Sequence, residues 1–416
     1  MSYLTLDSDA LNAELDGLRA AQARLQRNNQ QLDLTRGKPA ADQLALSNEL
    51  DGILQGDYRA RDGTDTRNYG GLYGIDEARE LGAELLGVEP QSVMAAGNSS
   101  LQLMHAAASV AVQSTWRGER PTMLCPVPGY DRHFALCDSL GLDMQAVALT
   151  ESGPDMDQIE ALVEADADIG GIWCVPRFSN PTGCVYSDAT VERIARLPTR
   201  ARHPGFTVFW DNAYAVHALS DDAPSLAALL PLAEAAGTAD HMRLFASTSK
   251  ITFAGAGVAF VAGSAVTLAA LESYLGFMTI GPDKINQLRT ARFLHGRLHA
   301  HMADHARLLR PKFERVQAIL AEDLGRLEIA TWTQPLGGYF VSLDTLPGLA
   351  SEVVRLAGAS GVKLTRAGAT FPNGQDPQDR NIRIAPTYPD LEELDTAMRV
   401  LTNAIRLASL TKLQSA

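Results

Sequence analysis

Nowhere in the 416 residues does an uninterrupted apolar run approach the eighteen that a membrane span needs, so none is expected. The first residues carry acids instead of an apolar core, and no export signal is expected there. Cysteine is scarce. Cys125, Cys137, Cys174 and Cys184 show no metal-type pairing, and three of them sit in or beside apolar runs, so buried, reduced thiols are expected, as in a cytoplasmic protein. Positive charge is also short: 36 Lys and Arg against 49 Asp and Glu give a net −13. That balance argues against a nucleic-acid surface and still allows a local basic pocket. No internal repeat or low-complexity segment is present. What remains is an ordinary globular composition, 46% apolar and 20% charged, on a chain too long for one core, so two domains are expected.

The pattern begins with a polar helix over 8–30 and an extended "LDLTRGKP". From about 47 to 280, helical periodicity ("IDEARELGAELLG", 75–87; "SLQLMHAAASVAVQ", 100–113) alternates with short β-branched runs. The candidate strands are 122–127, 170–176, 206–212, 243–248 and 258–263. Near-continuous apolar strands separated by helices indicate a mostly parallel sheet covered on both faces, an α/β fold. A long helical stretch over 283–324 leads into "GGYFVSL", a helix near 350–360, "NIRIAPT" and a last helix from about 390, which read as a smaller α+β unit.

Ligands of such sheets lie beyond the carboxyl ends of the strands. There the chain places Asn98-Ser99-Ser100, Pro128-Gly129-Tyr130, Asn180-Pro181-Thr182-Gly183, Asp211-Asn212-Ala213-Tyr214 and Ser247 to Lys250. "AGNSS" opening a helix is suited to a phosphate, or is a plain helix cap. Asp211 ends an apolar strand, where a carboxylate needs a cation or a donor; Tyr214 follows three residues later. Lys250 follows an apolar strand in "STSKITFAGAG", either as a solvated loop lysine or as an amine kept neutral for attack on a carbonyl. Together these groups describe one ligand: an aromatic cation for the carboxylate, a phosphate for the helix start and an aldehyde for the lysine. That ligand is pyridoxal 5′-phosphate.

With "NYGGLYG", "AGNSS", "PGY", "SNPTG", "WDNAY", "STSK" and "NIRIAPT" in order, the chain resembles the fold-type I pyridoxal-phosphate enzymes, specifically the class I/II aminotransferases. The separations also match: 31 residues from Asn180 to Asp211, 39 more to Lys250 and 133 more to Arg383. "TRGKP", "YDRHF" and "STSKITFAGAG" resemble the type Ic aspartate aminotransferases. The resemblance implies a large domain over 47–295 with a mostly parallel seven-stranded sheet, a small domain over 296–416, and a 1–46 segment packed with the latter. It also implies a homodimer with shared active sites.

By matching position, Lys250 forms the Schiff base and shuttles the substrate proton, and Asp211 keeps the pyridine nitrogen protonated. Asn180 and Tyr214 hydrogen-bond the ring's phenolic oxygen, and Tyr130 stacks on the ring. Asn98, Ser99, Ser100 and Ser247 surround the phosphate, with Tyr69 reaching it from the partner subunit. Arg383 grips the substrate α-carboxylate, with Gly37 beside the substrate. A second carboxylate, as on aspartate or glutamate, falls to Arg132, with Arg36 and Lys38 in reserve. One departure stands out: Val258 occupies the position where many relatives carry a phosphate-binding arginine. Two other readings stay open, a carbon–sulfur β-lyase on the same cofactor and an aminotransferase-like regulator. The regulator needs a basic DNA reader ahead of "LDLTRGKP", where only about 35 residues stand.

Overall fold

The protein was analysed as a computed structural model, which describes Tyr3 and residues 8–27 and 31–415. Its strands are β1 (Leu32–Asp33), β2 (Val93–Ala95), β3 (Thr122–Val127), β4 (Met144–Thr150), β5 (Gly153–Pro154), β6 (Ile169–Cys174), β7 (Thr207–Asp211), β8 (Met242–Ser247), β9 (Ala259–Ala262), β10 (Ala330–Trp332), β11 (Val341–Thr345), β12 (Val362–Lys363) and β13 (Asn381–Ile384). Its helices are α1 (Ser8–Arg27), α2 (Ala41–Ala45), α3 (Asp76–Leu86), α4 (Ser100–Val110), α5 (Asp131–Leu140), α6 (Met156–Ala165), α7 (Asp188–Arg200), α8 (Leu229–Ala236), α9 (Ala265–Leu275), α10 (Lys284–Leu294), α11 (Leu298–Leu324), α12 (Ala350–Ala359) and α13 (Leu391–Ser415). Of the helix expected over 8–30, residues 28–30 lie outside the described residues.

The central sheet runs β2-β9-β8-β7-β6-β3-β4-β5. β8, β7, β6, β3 and β4 are parallel, and β9 and β5 run against their neighbours. The seven strands expected are therefore joined by an eighth of only two residues at the β4 edge. Strand residues alternate between two cores, as the period of two requires. Leu124, Ile172, Val208, Trp210 and Leu244 pack with α3, α6, α7, α8 and α10. Met123, Trp173, Phe209 and Phe245 face α4, α5 and α9. Both faces are covered, so β6 and β7 are buried at every residue.

The C-terminal unit has its own core around the antiparallel β10-β11-β13 sheet, α12 and α13. The N-terminal segment joins it: β1 pairs in parallel with β12, and Leu15, Leu18 and Leu34 enter that core. α11 touches both cores, through Leu298 and Met302 at one end and Phe313, Val316 and Leu320 at the other. The long helical stretch expected from 283 is thus two helices, divided at Gly296, whose φ of 65° ends the first.

Candidate active site

The crossovers deliver the carboxyl ends of β2, β3, β6, β7 and β8 to one edge of the sheet. There a cavity of about 530 Å³ is lined by Tyr130, Arg132, Asn180, Tyr214, Lys250, Gly37 and Arg383. Lys250 is partly buried, and its Nζ lies 4.8 Å from the centre of the Tyr214 ring. Removal from water lowers its pKa, against a smaller upward pull from Asp211. Burial likewise pushes the Tyr130 and Tyr214 phenols up. Asp211, 2% exposed at the end of β7, takes a hydrogen bond on Oδ2 from His133 Nε2 at 3.0 Å, while its Oδ1 is buried without a partner. His133 is itself stacked on Trp173 at 4.4 Å.

Around the start of α4, Ser99 stands at the N-cap without using its side chain to cap the helix. Ser249 links the neighbouring segment to it, meeting Ser247 Oγ at 2.8 Å and donating to Asn98 O at 3.2 Å. Val258 is buried in the sheet core. Its backbone clasps Thr248, N–H to Thr248 Oγ1 at 2.9 Å and C=O from Thr248 N–H at 2.9 Å, which closes the loop carrying Lys250. Serine hydroxyls and helix N–H groups, not an arginine at 258, are what this corner offers an anion.

Arg383, 7% exposed on β13, donates to Asp131 Oδ1 at 2.9 Å and Asn180 Oδ1 at 3.3 Å, and its Nε is buried without a partner. Its guanidinium lies 5.0 Å from the Phe340 ring centre. Gly37 makes room for that ring, since a Cβ there would stand 2.5 Å from Phe340 Cζ. Arg36, Lys38, Arg132, Lys363 and Arg366 also line the cavity, against one acid, Asp131. Lys38 is engaged over the Tyr388 ring at 3.7 Å. Tyr69 does not join this cavity and is 81% exposed.

A sequence model of the family described as "Aspartate amino-transferase" matches residues 6–416. The chain belongs to that family. It is 44% identical over 396 residues to an aspartate aminotransferase of Corynebacterium glutamicum, covering 92% of this chain and 91% of the relative. It is 46% identical over 424 residues to a putative aminotransferase of Mycolicibacterium smegmatis, covering 98% of each. The crystal structure of an aspartate transaminase from Corynebacterium glutamicum superposes with a TM-score of 0.93 at 41% identity, covering 99% of each chain. A fold-type I, pyridoxal-phosphate-dependent aminotransferase, as read from the sequence, is borne out. No helix among the described residues is long and apolar enough to cross a membrane.

Sequence reasoning missed Ser249, the Asp131–Arg383 pair, the role of His133 and three histidines beneath the Lys250 loop. His217 Nε2 meets Lys250 O at 3.1 Å, and His301 and His305 Nε2 meet Ile251 O at 2.7 and 2.9 Å. A carbonyl only accepts, so His217 Nε2 carries a proton, and of His301 and His305 Nε2, which also lie 3.2 Å apart, at least one does. The i, i+4 spacing of His301 and His305 on α11 was the signal in the sequence. Burial depresses all three, His217 to about 3 and His305 to about 4. The unfolded chain takes up protons near 6.5, so stability is complete above that pH and is lost as acid is added. At pH 5 the loss should be about 2 kcal/mol for each of His217 and His305. Denaturant unfolding at pH 8 and pH 5 measures it; equal stability at the two would show that the rings titrate freely.

Proposed function

We propose that the protein is an aspartate aminotransferase, moving the amino group of aspartate or glutamate to 2-oxoglutarate or oxaloacetate. The observation that carries this reading is that Lys250 and Arg383 face one cavity, an amine of lowered pKa and a buried guanidinium fork within reach of a single small molecule. The residues fit pyridoxal 5′-phosphate. Asp211 Oδ1, buried and unpartnered, is an acceptor awaiting a protonated ring nitrogen. Asn98, Ser99, Ser100, Ser247 and Ser249 would hold the phosphate, and Tyr130, Asn180 and Tyr214 the ring. When bound, the cofactor supplies an aldehyde for the amine and a ring that takes up the electron pair left at the substrate Cα.

The chain's own groups do the rest. Lys250 Nζ, whose pKa burial lowers, is the group that would take the Cα proton and hand it on. Tyr214 screens that amine from water. Asp211 would hold positive charge on the ring nitrogen, its carboxylate kept aimed by His133. The substrate α-carboxylate competes with Asp131 for Arg383 and gives the idle Nε a partner. Arg132 is our choice for the second carboxylate. It lines the cavity, and among the described residues it has no ion pair, since Asp131 is given to Arg383.

The proposal includes a homodimer in the cytoplasm. Tyr69, Phe277, Met278 and Ile280 are all more than 60% exposed, and Gly70 and Gly281 bring their two loops together, a patch a second copy would cover. Tyr69 would then serve the partner's phosphate site. It also includes a division into a 1–46 segment, a 47–295 large domain and a 296–416 small domain.

Borohydride reduction of the purified protein should fix the cofactor to the peptide carrying Lys250, and a label on Lys38 or another lysine would refute the assignment. Product 2-oxo acid beyond one equivalent per site should form only with a 2-oxo acid acceptor; sustained formation without one, with release of ammonia, would indicate the β-lyase. Mixed dimers of Tyr69→Ala and Lys250→Ala subunits should regain activity that neither variant has alone, because one site in each is whole. Arg132→Ala should lower kcat/KM for aspartate by roughly 10- to 100-fold, about 1.4–2.8 kcal/mol, and change little for alanine. Equal losses for both donors would assign Arg132 to the fold.

A further inference from the structure

The backbone that carries Lys250 is held from beneath by groups that never reach the cavity. Gln43, fully buried in α2, follows directly on the segment Thr35–Lys38 that lines the substrate side. Its Oε1 accepts from Ala40 N–H at 3.1 Å. Its Nε2 donates to Tyr339 Oη at 3.0 Å and faces His305 Nδ1 at 3.3 Å, so both amide protons and the carbonyl are used. With Nδ1 accepting, His305 carries its proton on Nε2, which meets Ile251 O. Tyr339 Oη, one lone pair occupied by Gln43, donates to Lys250 O at 3.4 Å. One amide therefore sets the direction of one hydrogen bond on each of the carbonyls of Lys250 and Ile251, the longer of the two in each case, the shorter coming from His217 and His301.

We propose that Gln43 is a positioning residue for amino transfer, tying the segment that lines the substrate side of the cavity to the carbonyls of Lys250 and Ile251, and so fixing where the Lys250 amine stands. The proposal rests on the reading of Lys250 as the lysine that holds the cofactor and moves the proton. An amine at the end of a four-carbon stem is only as well placed as its backbone, and a misplacement of about 1 Å costs on the order of 100-fold in rate. Gln43 touches neither substrate nor ring, so its loss should be felt in turnover more than in binding.

The test uses the full-length holoenzyme with Gln43→Met, which keeps length and volume without donors, and Tyr339→Phe, which removes one hydroxyl. Each should lower kcat about 10-fold or more and leave KM for aspartate within about twofold. Amide hydrogen exchange over 248–256 should accelerate about 10-fold or more, with β6 and β7 unchanged. The double variant should lose little more than either single one, because both lie on one path. A lowered melting temperature with kcat and exchange unaltered would reduce Gln43 to a satisfied core amide, and a raised KM at constant kcat would move its role to binding; either overturns the proposal. If Gln43→Met does not fold, Tyr339→Phe decides by the same readings. Failure of the site reading would be seen separately, as a borohydride label on another lysine of the unaltered protein.

Discussion

Keeping an amine neutral near pH 7 requires that it leave water without meeting a carboxylate close enough to hold its proton. Burial at Lys250 lowers its pKa in that direction, and much of the surrounding structure is arranged about it. The strand before it is buried, the Tyr214 ring lies along its amine, and the acid that the chemistry needs, Asp211, is turned toward His133 instead. The same dryness extends below the loop, where Lys250 O and Ile251 O would be orphaned without donors. Histidine supplies them as neutral rings. A protonated ring packed under Lys250 would depress the amine further but would add a buried charge of its own, which is why the site holds uncharged donors there.

The fork shows the complementary arrangement. Arg383 cannot lose its charge, so it is buried only because Asp131, Asn180 and the Phe340 face receive it, and Gly37 is small so that Phe340 can. A carboxylate of the protein, that of Asp131, occupies the guanidinium. The arginine is thus paired through one terminal nitrogen, its Nε left without a partner, by an Asp131 that sits on a helix start beside solvent.

The sheet was legible where strands are covered on both faces, since burial on both sides makes them continuous apolar runs, as in β6, β7 and β8. β2, with three residues, is too short to register, and β4, "MQAVALT", lies next to the edge with most of its side chains half-exposed. Lys250, Asp211, Asn180 and Tyr130 could be named because strand ends converge in such a fold whatever the loops do, whereas Arg383, on β13 of the other sheet, was named only from the resemblance carried by "NIRIAPT". Contacts between distant elements carried no such signal. Nothing local marks Gln43, 262 residues from His305, or Asp131, 252 from Arg383, as a partner. Val258 was visible as a departure, but its burial and its grip on Thr248 were not.

The gathering of basic side chains at one mouth, on a chain of net −13, has a reach beyond contact distance. A basic mouth on a chain of net negative charge focuses the field on the opening and raises the local concentration of anions there. Ionic strength then becomes a control on capture. Within a Debye length of about 8 Å in physiological salt the focusing works only close to the mouth, and dilution of the salt extends its range.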